Sequence, residues 1–323
     1  MNSLIELEPG VLPGVTAPTL EKIKKAGIHT VEALATQTTR HLADRAGIGK
    51  ETAEKAINKA LTLVGRGYIT GKQLYDELQN RTRLSTGAEE VDELLGGGIE
   101  SETTTEFAGR EGSGKTQICH MLAVQAQLPL EAGGLGSEVA WIDTEDTFRP
   151  DRIVEIATTL ELDPMDVLSK IHRWKAFNTP DQLKAVEALG SLCHEKNVKL
   201  IIVDSVMAHL RAEFLGRGML SERQNILNDI LQKLSKICQT YNVTAVYTNQ
   251  VMDNPAILYG NPEKAVGGHI MGHAATTRIH IRRGRGEMRI AALKKSPYLP
   301  EGEARFLITE GGIEDVEKKA KED

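Results

Sequence analysis

Eight consecutive residues carry the clearest chemical signal in the chain: Gly109-Arg110-Glu111-Gly112-Ser113-Gly114-Lys115-Thr116. They fit the pattern Gly-x4-Gly-Lys-Ser/Thr. Glycines let the backbone curl until successive N–H groups face one point, which suits a run of phosphates. Lys115 supplies a point charge for the outer phosphates, and Thr116 offers a hydroxyl to Mg²⁺. The flanks agree. Thr104-Thr105-Glu106-Phe107 reads as a strand before the loop, and Gln117 to Leu128 reads as a helix after it.

A nucleotide loop needs an acid on another strand to position the metal. Asp204 follows four aliphatic residues, Leu200 to Val203, and so ends a buried strand. Alone it is a turn residue before Ser205. Beside the loop it is a metal-positioning carboxylate at the sheet edge where ligands bind. Hydrolysis also needs a group that orients water. Asp143, Glu145 and Asp146 crowd the end of Val139-Ala140-Trp141-Ile142. Asp143 and Asp146 equally suit turn and capping chemistry ahead of a helix at 151–160, and that reading is preferred for Asp146. Gln250 ends a further strand. Its uncharged amide can bond a terminal phosphate and report its loss to the following loop.

Short apolar runs alternating with amphipathic stretches from residue 84 onward predict a mainly parallel α/β sheet. Helical patterns fall at 151–160, 181–196 and 221–241. Arg278-Ile279-His280-Ile281-Arg282 and Arg289 to Leu293 read as a hairpin with solvated arginines. Residues 9–64 read as a small helical unit with glycine turns at Leu12-Pro13-Gly14-Val15 and Ala46-Gly47-Ile48-Gly49. Residues 65–83 read as a linker in which Gly65, Gly67 and Gly71 weaken any helix. The tail, 310–323, is expected to fray.

The 323 residues include 39 Lys and Arg against 45 Asp and Glu, a net charge of −6. Bulk charge therefore does not advertise nucleic acid, and such a partner needs local patches. Residues 21–59 hold eight bases and five acids, and 274–296 hold seven bases and one acid. Three scattered cysteines argue against a disulfide framework or a zinc site. With no signal-like N-terminus and no long apolar run, a soluble cytoplasmic protein, nucleoid-associated if it binds DNA, is expected.

The phosphate loop is joined by Ile142-Asp143-Thr144-Glu145 with Phe148-Arg149-Pro150, by Gly216-Arg217-Gly218 and by Thr248-Asn249-Gln250-Val251. Gly267-Gly268-His269 and Leu299-Pro300-Glu301-Gly302-Glu303-Ala304 follow. In this order the motifs closely resemble the archaeal RadA recombinases, strand-exchange ATPases of the RecA-like superfamily. The resemblance spans nearly the whole chain. It implies an α/β fold, a RecA-type mainly parallel sheet ATPase core at 84–323. It also implies a small all-α helix-hairpin-helix domain at 1–64 and a linker with a polymerisation motif at 65–83.

The implied function is a DNA-dependent ATPase that forms helical filaments on single-stranded DNA and exchanges strands with duplex DNA. A non-exchanging paralogue and a ring-shaped translocase are the rival readings. ATP and Mg²⁺ are the implied cofactors. Further copies of the chain, and accessory recombination proteins, are the implied partners. By the resemblance, Glu145 is the catalytic glutamate, Gln117 follows the phosphate loop in the nucleotide site, and Arg152 stacks on adenine. His273, Lys295 and Pro297 meet the neighbouring subunit's ATP. Arg211, Arg217 and Arg223 belong to a first DNA loop of about 211–223, and Gly267 and Gly268 to a second of about 252–272.

Two departures stand out. The family's Phe-x-x-Ala polymerisation motif falls on Tyr68-Ile69-Thr70-Gly71, so the aromatic gains a hydroxyl and the small residue loses its methyl. Where many relatives have Asp before Ser-Pro, this chain has Lys295. Its ammonium either stands in for a monovalent cation across the interface or points to solvent.

Overall fold

A computed structural model describes residues 4–65, 68–253, 263–265 and 274–316. The N-terminal unit is built from α1 (Ala17–Lys25), α2 (Val31–Ala35), α3 (Thr39–Ala46) and α4 (Lys50–Val64). The Thr30 and Thr38 hydroxyls accept the Ala33 and His41 amides and so start α2 and α3. Gly47 and Gly65 stop α3 and α4 in left-handed conformation, where a Cβ is costly. Their apolar faces bury Leu20, Ile23, Leu34, Leu42, Ala56 and Ile57.

Residues 65–83 differ from the expected helix-poor linker. They contain α5 (Gly71–Gln79), started by a reciprocal capping box. Gln73 N–H donates to the Thr70 hydroxyl at 3.2 Å, and Thr70 N–H donates to the Gln73 side-chain oxygen at 2.8 Å. Gly71 sits at the first helical position, outside the interior where glycine weakens a helix most. No α5 side chain is buried, and Tyr68 just before it is fully exposed. Beyond α5, Arg81 bridges Glu100 at 3.1 Å and Glu102 at 3.0 Å.

A small antiparallel pair, β1 (Arg83–Leu84) and β2 (Ile99–Glu100), flanks α6 (Glu89–Leu94). The core follows as β3 (Thr104–Gly109), α7 (Lys115–Gln125), β4 (Glu138–Asp143), α8 (Pro150–Thr159), α9 (Pro164–Ser169), β5 (Ile171–Lys175) and α10 (Thr179–Glu195). It continues as β6 (Val198–Asp204), α11 (Ala208–Glu213), α12 (Leu220–Tyr241) and β7 (Thr244–Asp253). It closes with β8 (Glu263–Ala265), β9 (Thr277–Arg283), β10 (Met288–Lys295), β11 (Gly302–Thr309) and β12 (Gly312–Glu314).

The main sheet runs β12-β11-β10-β9-β3-β7-β6-β4-β5. From β9 to β5 neighbours are parallel, and β9 to β12 form an antiparallel meander. This is the α/β, mainly parallel architecture expected from the alternating texture. β8 pairs with β7 off this path.

Register brings Gly109 beside Gln250 and Asp143 beside Asp204, so the chemical residues gather at the carboxyl edge of the parallel strands. One buried cluster lies around α7 and α8, with Phe107, Trp141 and Phe306. The other runs without a break from the N-terminal helices to Val186, Leu189 and Tyr241 of α10 and α12. At that junction the His29 and His194 rings stack at 4.8 Å.

Two further expectations change. The stretch 211–223 is mostly helical, with Arg211 in α11, a short 3-10 turn at Arg217–Met219, and Arg223 in α12. The start of the tail is fixed: β12 pairs with β11, and the Asp315 carboxylate accepts the Glu89 and Glu90 amides at 3.0 and 3.1 Å. Among the described residues no helix is long and apolar enough to cross a membrane.

Candidate functional site

The phosphate loop joins the end of β3 to the start of α7, so the first turn of α7 points its free N–H groups into the curl. A Cβ on Gly109 would lie 2.4 Å from the Ile281 carbonyl oxygen, and one on Gly112 would lie 2.4 Å from the Arg283 guanidinium. Backbone closes on Gly109, whereas at Gly112 the left-handed φ of +67° favours glycine, since the guanidinium itself could move aside. The Lys115 ammonium is buried and donates to the Gly109 and Arg110 carbonyls at 3.0 and 2.9 Å. Burial pushes its pKa down, against the pull of Asp204 and Glu145. The buried Ser113 hydroxyl has no hydrogen-bond partner among the described residues. A desolvated cation and an unpaired hydroxyl inside a ring of amides fit a polyphosphate.

Asp204 is nearly inaccessible, yet three hydroxyls converge on it. Thr116 donates to one carboxylate oxygen at 2.8 Å and Thr147 at 3.1 Å, and Thr248 donates to the other oxygen. Thr116 and Asp204 form a pair of hard oxygen donors. Such a pair suits Mg²⁺, which takes few protein ligands and completes its shell with water and phosphate.

The turn after β4 carries Glu145 and is stitched to the end of β6. The Thr144 hydroxyl donates to the Ser205 carbonyl at 2.7 Å and accepts the Ser205 amide at 2.8 Å. Glu145 then accepts the Ser205 hydroxyl at 2.5 Å on one oxygen and faces the Gln250 amide nitrogen at 3.5 Å on the other. Arg211 donates to the Gln250 side-chain oxygen at 2.7 Å.

Asp143, whose role the sequence leaves open, does the turn chemistry. It accepts the Thr147 and Phe148 amides at 3.1 and 3.2 Å and also pairs with Arg173. Asp146 does not cap α8. Its carboxylate turns to Arg173 at 2.6 Å and Lys175 at 2.8 Å, two cations that offer more than a lone amide. Arg152 is held by Gln117 at 2.8 Å, Glu155 at 2.8 Å, the Glu310 carbonyl at 2.8 Å and the Thr309 carbonyl. Such fixing prepares a guanidinium face for stacking.

Several site residues escaped the sequence reading. Glu106 is fully buried, ion-paired to Arg278 at 3.0 Å and bonded to the Asn249 amide at 2.8 Å. Arg283 donates to the Gly112 carbonyl at 2.9 Å and clasps the phosphate loop. Arg278 is not a solvated hairpin residue, because β9 lies directly beside β3 and its guanidinium meets buried Glu106, whereas Arg283 is exposed as expected even while it holds the loop carbonyl. Lys295 does not point freely to solvent, since it donates to the Ala275 carbonyl at 2.6 Å.

His120 links the phosphate helix to α8. Its Nε2 accepts the Arg149 N–H at 3.0 Å, so the proton sits on Nδ1, which donates to the Thr116 carbonyl at 2.8 Å. Only the neutral ring satisfies both. Burial pushes the pKa below its ordinary value of 6.5. The unfolded chain therefore binds more protons as the pH falls through 6.5. The stability contribution is complete above that pH and is lost below it. Thermal midpoints at about pH 5.5 and about pH 7.5 should differ less in His120→Asn than in the parent, and an equal difference would refute this.

The structure thus brings Lys115, Thr116, Asp204, Glu145, Gln250 and Arg211 to one edge. Pro297 follows β10, and Tyr68 and Gly71 lie on the linker. His273, Gly267 and Gly268 lie outside the described residues, as does the side chain of Arg217.

Residues 78–316 match the Rad51 family model, and residues 11–62 match the SAM-like helix-hairpin-helix tandem. The chain is 44% identical over 306 residues to the DNA repair and recombination protein RadA of Aeropyrum pernix, spanning 95% of this chain and 96% of that protein. It is 46% identical over 311 residues to the protein of the same name from Ignicoccus hospitalis, spanning 95% of each.

Proposed function

The chain belongs to the Rad51 family, and on that footing we propose a DNA-dependent ATPase that polymerises on single-stranded DNA and catalyses homologous pairing and strand exchange. One observation carries the reading beyond family membership. The phosphate-loop Thr116 meets Asp204 at 2.8 Å, at the same sheet edge as Glu145 and Gln250. That is a complete set for phosphoryl chemistry: charge, metal donors, base and sensor.

Bound ATP supplies the phosphoanhydride, and Mg²⁺ neutralises its charge. The residues divide the remaining work. Lys115 turns from backbone carbonyls to phosphate oxygens, while Gly109 to Gly114 and Gln117 line the loop and its helix. Thr116 and Asp204 hold the metal. Glu145 takes the proton of the attacking water. Arg152 presents its face to the base.

In this proposal Arg211, Arg217, Arg223 and the Gly267–Gly268 segment grip the phosphates of single-stranded DNA without reading bases. The glycine turns at Gly14 and Gly47, with Lys50, hold duplex phosphate. His273, Lys295 and Pro297 meet the neighbouring copy's nucleotide. The deciding experiment is strand exchange between single-stranded and homologous duplex DNA with ATP and Mg²⁺. The parent should exchange and Lys115→Ala should not. An inactive parent that still binds both ligands would overturn the reading.

Polymerisation is assigned to Tyr68, whose ring finds no cover among the described residues and whose neighbour Ile69 is about half exposed. Burial in a second copy would contribute about 2 kcal/mol. Tyr68→Ala should therefore weaken subunit association about 30-fold, read by light scattering with ATP and single-stranded DNA. Assembly at the parent's concentration would remove Tyr68 from the interface.

A further inference from the structure

Gln250 stands between two groups of opposite hydrogen-bonding character. On one side the Arg211 guanidinium, which only donates, gives an N–H to the amide oxygen at 2.7 Å. On the other side the amide nitrogen faces the Glu145 carboxylate, which only accepts, at 3.5 Å. The second Glu145 oxygen takes the Ser205 hydroxyl at 2.5 Å. Donors and acceptors therefore run in one direction from Arg211 to Glu145. The amide cannot turn over without putting its own N–H groups against the guanidinium.

The two links differ in strength. The Arg211 bond is short and charge-assisted, whereas the Gln250–Glu145 contact is at the outer limit of a hydrogen bond. Arg211 therefore decides where Gln250 sits. Arg211, Gln250 and Glu145 also line one cavity of about 290 Å³ with Ala208 and Ala212. The acid nearest in sequence, Glu213, accepts the Thr179 amide at 2.8 Å, so it is engaged elsewhere.

We propose that Arg211 is a latch through which a DNA phosphate controls hydrolysis: while Arg211 holds Gln250, Gln250 occupies the free oxygen of Glu145, and a backbone phosphate draws Arg211 away. This rests on the reading of the chain as a DNA-dependent ATPase. A phosphodiester anion is a stronger partner for a guanidinium than a neutral amide carbonyl. Once Arg211 leaves, the Gln250 amide can rotate toward a terminal phosphate. Glu145, still anchored by Ser205, then has an open oxygen for water. Arg211 and Ser205 act here as positioning residues, one for the sensor and one for the base.

The test is steady-state ATP hydrolysis by the full chain, with and without single-stranded DNA, for the parent, Arg211→Met and Ser205→Ala. Arg211→Met should raise the DNA-free rate about tenfold, equivalent to about 1.4 kcal/mol, and bring the ratio of DNA-stimulated to DNA-free rates toward one. Ser205→Ala loosens the base but leaves the latch, so it should lower both rates and keep their ratio. A DNA-free rate in Arg211→Met at or below the parent's would overturn the latch. Should the apolar variant not fold, Arg211→Gln repeats the test with a polar side chain that lacks the charge. A parent that DNA does not stimulate would instead overturn the broader reading and the latch together.

Discussion

Glu145→Gln should bind nucleotide as the parent does and hydrolyse it about 10²- to 10⁴-fold more slowly, the range typical of losing a positioned general base. The substitution keeps the side chain's shape. The Ser205 hydroxyl can still donate to the amide oxygen as it now does to the carboxylate at 2.5 Å. The Thr144–Ser205 stitch does not involve the side chain at 145, so the turn keeps its place. What changes is the proton acceptor. The new NH2 group also meets the Gln250 NH2, and Arg211 prevents Gln250 from turning to relieve the clash. Single-turnover hydrolysis beside nucleotide binding separates the two effects. A loss below about tenfold would move the base to another group. Because binding is spared, filaments of Glu145→Gln on DNA should persist far longer than those of the parent.

Glu106→Ala should destabilise the fold by about 3 kcal/mol, near the lower end for breaking a buried ion pair. Glu106 is completely buried in β3, while Arg278 keeps partial access to water. Burial pushes the Glu106 pKa up, and Arg278 and Asn249 pull it back. Removing the carboxylate takes away the acceptor that the guanidinium and the Asn249 amide share. Glu106→Gln would keep the Asn249 bond but set amide donors against Arg278. Joining Glu106→Met to Arg278→Met should restore most of the loss, because an apolar pair of similar volume often replaces a buried ion pair at little cost. Denaturant midpoints over the double-mutant cycle give the coupling. Additive losses at the two positions would mean that the pair is not the source of the stability.

What the sequence revealed follows from how local each signal is. The phosphate loop is contiguous, and Leu200 to Val203 mark a buried strand wherever they stand, so both were legible, as was the position of Asp204. The Ser205–Glu145–Gln250–Arg211 chain was not. Its members sit on four separate segments, and only the parallel register of β4, β6 and β7 brings them together. Glu106 gave one faint sign, a lone acid within Thr104-Thr105-Glu106-Phe107-Ala108. Its partner Arg278 hid in an alternating pattern that an exposed hairpin would also show. In the linker Gly71 would weaken a helix interior, but glycine at a helix start costs little once Thr70 and Gln73 close a capping box.

That linker helix bears on filament geometry. A glycine-rich connection behaves as a loose tether, and the effective concentration it imposes on its end falls as the chain spreads. Nine helical residues form instead a rod of about 13 Å. The Arg81 fork on Glu100 and Glu102 pins the chain just beyond its core end, and Tyr68 stands bare at the other. A rod of fixed length offers its aromatic at a set distance from the body that carries it. Spacing along a polymer of such chains would then be a property of one helix, copied at every joint.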